Sequence, residues 1–406
     1  MTDSTPTNRR QFVKQSIVAG ATAGLGVGAA ATPPGEIGVR SYRSLGRTGL
    51  EVSDISFGSS RLRAGEEHLV RHALDRGINY FDSAYGYTGG ASENVLGSVI
   101  SGIRDEVVIV SKVEASASWR AEQMMTQLDA SLKRLNTDYI DIYMSHAVND
   151  IERLRSDEWF AFVDAAKAAG KIRFPGMSGH AGRLIACLDY ALDENMVDVI
   201  LCAYNFGQDP GFYEQFTKSF NFVANQPDLP RVLAKAKAND VGVIAMKTLM
   251  GARLNDMRPY EFGDATFAQA AFRWVLSNEN VDALIISMTS TERIDEYLGA
   301  SGSRDLAVGD MELLIRYAAK NGASYCRHAC DDCSGACPNG VNIADVLRTR
   351  MYATDYEDLE FARAEYAGIA GNAEACLSCS GEPCRNACTH GIAINEACAP
   401  THRMLA

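Results

Sequence analysis

The sequence lacks two features, and each absence excludes a broad class of protein. No apolar run reaches the roughly 18 residues that a membrane-spanning helix needs, so we do not expect an integral membrane protein. Basic residues are not in excess, since 39 Lys and Arg stand against 51 Asp and Glu and give a formal net charge of −12. A surface of that charge is not expected to bind nucleic acid. Hydrophobic residues make up 47% of the 406 residues, which is enough to bury a large core.

Cysteine is nearly absent from the first 320 residues, which contain only Cys187 and Cys202. The other nine of the 11 cysteines lie between Cys326 and Cys398. Because composition changes so sharply there, we predict a separate cysteine-rich domain over residues 320–400. Cys187 and Cys202 fall in helix-like and strand-like segments, and we expect both to be small buried hydrophobic residues.

The first 31 residues have the pattern of a removable export signal. Arg9 and Arg10 precede a weakly apolar stretch rich in Gly and Ala, which ends in the small residues 29–31. This pattern resembles a bacterial twin-arginine signal, whose export machinery moves folded proteins. We therefore predict an exported, periplasmic protein from which residues 1–31 are cleaved. An ordinary basic terminus followed by a flexible tail is the alternative.

Residues 41–305 alternate between helix-like and strand-like segments. Apolar residues three and four positions apart indicate helices that cover a sheet. Short apolar runs typical of buried strands occur at residues 52–57, 78–81, 107–110, 139–144, 172–177, 197–201, 241–246 and 281–286. Eight such units predict an α/β fold of the (β/α)8 barrel type. An open doubly wound sheet has similar local patterns, but the nucleotide-binding fingerprint at residues 24–29 has no strand before it.

Four reactive side chains follow consecutive strand candidates. Asp82 ends the second candidate and Tyr87 lies five residues later, while Lys112 ends the third and His146 follows the fourth. In a (β/α)8 barrel the carboxyl ends of the strands share one face, where the chemistry takes place. We therefore expect these four side chains to meet at that face.

The segments around these residues resemble the aldo-keto reductase family. The matching segments, in order, are residues 77–97, Lys112, residues 131–135, His146 and residues 170–178. The resemblance extends over nearly all of residues 42–300. It implies an NAD(P)H-dependent oxidoreductase whose catalytic tetrad is Asp82, Tyr87, Lys112 and His146.

Elementary chemistry supports these roles. A carbonyl that accepts a hydride becomes an alkoxide and needs a proton, and a phenol of pKa near 10 is a usable donor. We expect the charge of Lys112 to lower the pKa of Tyr87 toward the working range, and Asp82 to keep that lysine charged. His146 is expected to orient the carbonyl through a neutral ring N–H.

The resemblance also implies a nicotinamide cofactor, NADP or NAD, and three of its contacts. Ser178 matches the serine that binds the nicotinamide carboxamide, while Arg293 and Glu296 match the segment at the adenosine end. Other cofactor positions depart from the family pattern. The departures are Gly179 for Asn, Leu201 for Gln, Met246 for an aromatic residue and Met288 for a basic residue. These changes predict weaker nicotinamide binding.

Eight of the late cysteines form two similar motifs. The motifs are Cys326-x3-Cys330-x2-Cys333-x3-Cys337 and Cys376-x2-Cys379-x4-Cys384-x3-Cys388. Bacterial ferredoxins space four cysteines similarly, with three thiolates on one cluster and the fourth on the other. The tail therefore resembles a divergent, mainly helical ferredoxin-like module with two 4Fe-4S clusters. The resemblance assigns one cluster to Cys326, Cys330, Cys333 and Cys388, and the other to Cys337, Cys376, Cys379 and Cys384.

Two other uses of these cysteines stay open at this point. Exported proteins often pair cysteines in disulfides, and sets of four cysteines also hold structural zinc. His328 and His390 lie in and just after the motifs and offer substitute ligands, whereas Cys398 has no assigned role. Residues 344–370 have helical spacing and are expected to separate and pack the two sites.

Two functions from different classes follow. The first is an exported oxidoreductase that acts on a small-molecule carbonyl or alcohol, with a module whose clusters are structural or serve a redox partner protein. No flavin motif is recognisable that would divide a hydride into single electrons. The second is a nucleotide-binding redox sensor or electron-transfer module without turnover, which the weakened carboxamide contacts favour.

Overall fold

A computed structural model describes most of the chain after residue 35. The described residues are 36–180, 183–207, 228–249, 258, 261, 266–321, 326, 330, 332–354 and 358–406. The predicted export signal with Arg9 and Arg10, the fingerprint at residues 24–29 and His328 lie outside the described residues.

An antiparallel hairpin of strands β1 (Tyr42–Ser44) and β2 (Glu51–Ser53) precedes the main sheet. The prediction of one strand over residues 52–57 is wrong in this detail, because two strands divide at Asp54. There the chain leaves its pairing with β1, and the carbonyl of Asp54 accepts a hydrogen bond from the N–H of Leu284 in the main sheet at 2.9 Å.

Eight parallel strands close into a barrel, which excludes the open doubly wound sheet. In chain order they are β3 (Ile55–Gly58), β4 (Tyr80–Asp82), β5 (Val108–Val113), β6 (Ile140–Ser145), β7 (Ile172–Gly179), β8 (Val199–Ala203), β9 (Gly242–Met246) and β10 (Ala283–Ser287). Each strand pairs with its neighbour in sequence, and β10 pairs with both β9 and β3. The predicted (β/α)8 barrel is confirmed.

Helices surround this barrel on the outside. They are α1 (Glu67–Asp75), α2 (Ala91–Ile100), α3 (Ala121–Arg134), α4 (Ile151–Leu154), α5 (Asp157–Ala168), α6 (Leu184–Asp193), α7 (Leu229–Ala238), α8 (Phe267–Leu276), α9 (Thr291–Leu298) and α10 (Asp310–Asn321). Helix α10 packs against α8 through buried residues that include Leu314 and Tyr317. No helix in the described part of the chain is both long enough and apolar enough to cross a bilayer.

Two apolar cores stabilise the barrel. An inner core fills the cylinder with side chains such as Tyr80, Ile142 and Leu201. A larger outer core lies between strands and helices and contains Cys187 and Cys202, both fully buried. The prediction that these two cysteines act as buried hydrophobic residues is therefore confirmed.

The C-terminal cysteine-rich region is mainly helical, as the sequence predicts. Its helices are α11 (Ile343–Thr354), α12 (Leu359–Ala367), α13 (Pro383–Ala387) and α14 (Ile394–Leu405). They enclose a small separate core around Val346, Tyr366 and Cys398. Helices α11 and α12 form a helical pair that fits the predicted helical spacing of residues 344–370.

Candidate functional site

A buried ion pair lies at the carboxyl ends of β4 and β5. The Nζ of Lys112 donates to Oδ1 of Asp82 and to the carbonyl of Ser83, both at 2.6 Å, and both charged side chains are almost fully buried. Burial raises the pKa of Asp82, an effect that the nearby Lys112 opposes. Burial likewise lowers the pKa of Lys112 although Asp82 favours its charged form. The aspartate therefore supports the lysine charge in the expected direction, but desolvation outweighs it.

Tyr87 lies above this pair on the 3-10 turn Tyr87–Gly90 that follows β4. Its ring centroid is 5.1 Å from Nζ of Lys112. The ring of His146 meets it edge to face, with centroids 5.6 Å apart and planes at 78°. The structure thus brings Asp82, Tyr87, Lys112 and His146 together at one end of the barrel.

The expectation that Lys112 lowers the pKa of Tyr87 is wrong. Burial, followed by the charge of Asp82, raises the pKa of Tyr87 well above its ordinary value. Lys112 directs its hydrogen bonds at Asp82 and Ser83 instead. The charge that opposes the increase belongs to Arg348, on α11 of the cysteine-rich region. Tyr87 is therefore a protonated phenol at neutral pH and a proton donor in character.

His146 directly follows β6, and its backbone N–H donates to the carbonyl of Val113 on the neighbouring strand at 2.8 Å. Burial, then the charges of Lys112 and Arg153, lowers the pKa of His146 well below its ordinary value. Arg153 also donates to the carbonyl of His146 at 2.9 Å. The imidazole is therefore neutral at physiological pH, which is the form that the carbonyl-orienting role requires.

A second, partly buried ion pair lies beside the segment that leads into the Tyr87 turn. The fully buried Glu93 lies 3.2 Å from Nη1 of Arg134, which also donates to the carbonyl of Tyr85 at 2.8 Å. Gly90 has φ +92, and a Cβ there would lie 2.6 Å from the guanidinium carbon of Arg134. The sequence analysis assigned no role to Glu93 or Arg134, although they lie inside the matching segments 77–97 and 131–135.

Of the positions expected to bind the nicotinamide carboxamide, Ser178 alone keeps the residue of the family pattern. Its Oγ accepts a hydrogen bond from the N–H of Ala147 at 2.9 Å and keeps its own hydrogen as a donor. A Cβ at Gly179 would lie 2.7 Å from Cδ1 of Leu184. Leucine therefore occupies the space that the Asn of the family pattern would need.

The other three positions that depart from the family pattern also lie in apolar surroundings. Leu201 is buried in the inner core, Met246 packs against that core, and Met288 is buried in the outer core. Arg293 and Glu296 lie on α9 and are 3.5 Å apart, so their charges face each other. Their proposed contact with the adenosine end of a cofactor stays a prediction.

The sequence analysis did not predict two basic residues at the barrel mouth, Lys247 and Arg348. Lys247 directly follows β9 and has a left-handed φ of +57, a strained conformation that is common at functional sites. Burial, then the charge of Arg348, lowers the pKa of Lys247 to about 7. Lys247 could have been predicted, because it is an ionisable residue directly after the seventh strand candidate. Arg348 could not, because no local pattern in the sequence places α11 near the barrel.

The cysteines line two cavities in the C-terminal region. The first is lined by Cys326, Cys330, Cys333 and Cys388, and the second by Cys337, Cys376, Cys379 and Cys384. Each set takes three members from one motif and the fourth from the other, so the structure groups them as the ferredoxin spacing does. All 11 cysteines are among the described residues, and no disulfide joins any of them.

Two further groups border the first cavity. Asp332 and the buried His390 line it, and a ligand atom of each lies within 4.8 Å of the other and of Sγ of Cys330. Thiolate, imidazole and carboxylate are all metal ligands. The donor set therefore fits a metal centre, in which thiolates are the majority.

The chain is similar in sequence to two named proteins and in fold to a solved structure. L-galactose dehydrogenase from Arabidopsis thaliana is 26% identical over 311 residues, which cover 67% of this chain and 91% of that protein. L-glyceraldehyde 3-phosphate reductase from Escherichia coli strain K12 is 22% identical over 343 residues, covering 70% and 94%. The solved structure of an aldo-keto reductase from Bacillus halodurans, in its holo form, matches with a TM-score of 0.54 at 21% identity, covering 70% and 97%. At that identity the structural likeness concerns the fold alone.

The model of the aldo/keto reductase family matches residues 56–261, about half of the chain. The matched region contains Asp82, Tyr87, Lys112 and His146, the four residues that converge at the barrel mouth. This chain therefore belongs to the aldo/keto reductase family.

Proposed function

We propose that this protein is an exported NAD(P)H-dependent oxidoreductase that reduces a small-molecule carbonyl to an alcohol, with an attached iron-sulfur module. The observation that carries the proposal is the convergence of a protonated phenol, a neutral imidazole and a buried Lys112–Asp82 pair at one mouth of the barrel. The relatives named above are a dehydrogenase and a reductase of small sugars by their names, which supports a small hydroxyl or carbonyl compound as the substrate class.

The chain's own groups account for the proton and the orientation of the substrate. When bound, a reduced nicotinamide supplies the hydride. Tyr87 donates its phenolic proton to the oxygen that becomes an alkoxide, and neutral His146 holds that oxygen through a ring N–H. Lys112 lies 5.1 Å from the Tyr87 ring and places a positive charge where negative charge develops. Because its pKa is raised, Tyr87 is held in the protonated form that reduction requires, whereas alcohol oxidation would need the phenolate.

The residues present fit a nicotinamide at its reacting end and hold its carboxamide with fewer contacts than the family pattern. Ser178 offers its hydroxyl, whereas the place of the usual Asn is occupied by Leu184. We infer that the cofactor is NADP or NAD and that its affinity depends on the adenosine end, where Arg293 and Glu296 lie.

The two cysteine cavities fit two 4Fe-4S clusters, which store and pass single electrons. Four thiols line each cavity, which meets the ligand requirement of one cubane. Structural zinc is the competing assignment, since four thiolates also suit that ion. Iron and acid-labile sulfide analysis of anaerobically purified protein separates the two: about eight iron atoms per chain are expected, and a colourless, zinc-loaded protein overturns the assignment.

The cellular setting follows from the same proposal. Export through the twin-arginine machinery suits a protein that acquires clusters before it leaves the cytoplasm. We propose that the mature protein is periplasmic and that its clusters serve a redox partner protein. Fractionation of cells that carry the wild-type chain or an Arg9→Lys, Arg10→Lys variant tests this location, because only the wild type is expected in the periplasm.

The catalytic proposal is tested by Tyr87→Phe. This change keeps the ring that packs against His146 and removes the proton donor. We expect carbonyl-dependent NADPH oxidation to fall roughly 10²- to 10⁴-fold, measured as kcat/KM over a panel of aldehydes and ketones. Tyr190→Phe, a partly buried tyrosine on α6, is the control and retains the wild-type rate. Equal rates for Tyr87→Phe and wild type would refute the role of Tyr87.

A second function is favoured by the reduced carboxamide contacts. In this reading the barrel binds nucleotide as a redox sensor or electron-transfer module without turnover. Gly179 at the expected Asn position, with Leu184 packed against it, and Met288 in the outer core support it. Nucleotide binding without carbonyl reduction by the wild type, measured by fluorescence titration and by a turnover assay, would select this function instead.

A further inference from the structure

The helical pair α11 and α12 of the cysteine-rich region docks onto the barrel at the mouth that holds Tyr87. Asp358, which caps α12, accepts hydrogen bonds from Arg61 at 2.7 Å and from Arg63, both in the loop after β3. The guanidinium of Arg61 also lies 5.8 Å from the ring of Phe361. Asp358 and Arg61 are both largely buried, so this contact is part of the interior between the helical pair and the barrel.

One face of α11 is directed at the mouth. Arg348 and Tyr352 are one helical turn apart and therefore share a face of the helix. The ring centroids of Tyr352 and Phe361 lie 4.9 Å apart, so this face of α11 packs against α12. The charge of Arg348 acts on Tyr87 and on His146. A residue of the C-terminal region thus lies within electrostatic reach of the groups that would contact substrate.

Arg348 has spare donor capacity. Its Nη2 lies 3.2 Å from Oδ1 of Asp345, one turn earlier on the same helix. Its Nε is buried and has no hydrogen-bond partner among the described residues. A buried donor without a partner costs free energy, and a guanidinium satisfies that need best with the two oxygens of a carboxylate.

Lys247 supplies a second basic group at the same place, and its pKa of about 7 leaves it partly charged at neutral pH. Its ammonium group makes no hydrogen bond or ion pair with any described residue, and Arg348 is the charge that acts on it most strongly. Asp345 and Glu365 also face Lys247 and offset part of this positive charge. Both acids belong to α11 and α12, so the charge balance of the mouth is set across the two regions.

We propose that Arg348 and Lys247 form an anion-binding subsite beside the tetrad, and that the substrate is a carbonyl compound that carries a carboxylate. The inference rests on the proposed function, because it names the substrate class of the same site. In this arrangement the barrel supplies the acid Tyr87 and one cation, and the cysteine-rich region supplies the second cation. The region therefore determines which substrate is accepted, whatever its metal content does.

The test compares benzaldehyde with 4-carboxybenzaldehyde, which differs from it by one carboxylate at the para position. In Arg348→Gln we expect the ratio of kcat/KM for the charged aldehyde to that for the neutral one to fall roughly 10- to 100-fold, as for a lost charge-assisted hydrogen bond. Arg348→Lys should recover part of the ratio because it restores the charge. Arg350→Gln is the matched control on α11, and it should keep the wild-type ratio because position 350 lies on another face of the helix.

Two further measurements distinguish a substrate carboxylate from the nucleotide phosphate. They also show whether the subsite or the proposed function fails. If NADPH affinity, measured by fluorescence titration, falls in Arg348→Gln while the aldehyde ratio is constant, the subsite binds the nucleotide phosphate and the substrate proposal is wrong. Calorimetric titration with benzoate needs no turnover. Benzoate binding that wild type shows and Arg348→Gln lacks supports the subsite even if no aldehyde is reduced, in which case the proposed function alone fails. Turnover with an unchanged aldehyde ratio and unchanged benzoate binding overturns the subsite alone.

Discussion

The barrel and the cysteine-rich region place polar groups in opposite ways. In the barrel the two charged residues of the tetrad are buried and already paired, Lys112 with Asp82 at 2.6 Å. In the cysteine-rich region most of the eight thiols of the two motifs are only partly buried, and they line cavities instead of pairing with one another. The barrel site is therefore organised by the fold itself, whereas the cysteine sites are organised for a ligand that completes them.

The size of the apolar cores in the two regions explains this difference. The barrel has an inner and an outer core that together bury side chains from every strand and most helices. Among the described residues, the C-terminal region has a core of 11 buried residues. Domains of that size seldom gain enough stability from apolar burial alone and depend on metals or disulfides. We therefore expect the barrel to fold without metal and the cysteine-rich region to depend on it.

The largest effect is expected from Lys112→Met. The variant leaves the Asp82 carboxylate buried without its partner, which should cost about 3–5 kcal/mol in the free energy of unfolding. Turnover should fall roughly 10³-fold, since the charge beside Tyr87 is lost. Denaturant unfolding and steady-state kinetics measure the two effects.

The double variant Asp82→Asn, Lys112→Met sharpens this result. Because it removes both buried charges, most of the lost stability should return while activity stays low. Lys167→Met, an exposed position on α5, is the control. If Lys112→Met is as stable as wild type, the contrast between a pre-organised barrel site and a ligand-dependent cysteine site is mistaken.

A smaller effect, confined to the cysteine-rich region, is expected from Cys384→Ser. Cys384 lines the second cavity, so the variant should lose roughly half of the iron and sulfide. The barrel should keep its circular dichroism and its NADPH binding. Cys398→Ser is the matched control, because Cys398 is buried in the same core but lines neither cavity. Equal iron loss in both variants would contradict the assignment of the ligands.

The smallest effect is expected at the contact between the two regions. Asp358→Asn removes the charge that pairs with Arg61 and Arg63, while asparagine still caps α12 well. We expect the docked helices to loosen by about 1–2 kcal/mol, seen as roughly 10-fold faster hydrogen exchange in α11 and α12. Asp305→Asn, an exposed position, should show no change. Exchange at the wild-type rate in Asp358→Asn would mean that these ion pairs do not hold the regions together.

Much of the fold was predictable because its signals are local. The eight strand candidates need only runs of a few apolar residues, and each lies within a few positions of an observed strand. The predicted single strand at 52–57 failed because the division at Asp54 depends on Leu284, a partner far away in the sequence. Local periodicity cannot contain that partner.

In the candidate site, too, the features set by local sequence were predictable and those set by distant residues were not. Asp82, Lys112 and His146 were predictable because the end of a strand in a barrel fixes where a side chain is directed. The pKa of Tyr87 was not, because burial and the charges of Asp82 and Arg348 set it, and burial is a property of the whole assembly.

The sequence by itself determined the barrel, the identity of the four converging residues and the two cysteine motifs, since each depends on spacing that is written along the chain. Only the tertiary structure decided that Arg348, more than 200 positions after Tyr87, lies at the same mouth. It also decided that Leu184 fills the space beside Gly179. Electrostatic and steric contacts of this kind act through space, and no pattern of neighbouring residues encodes them.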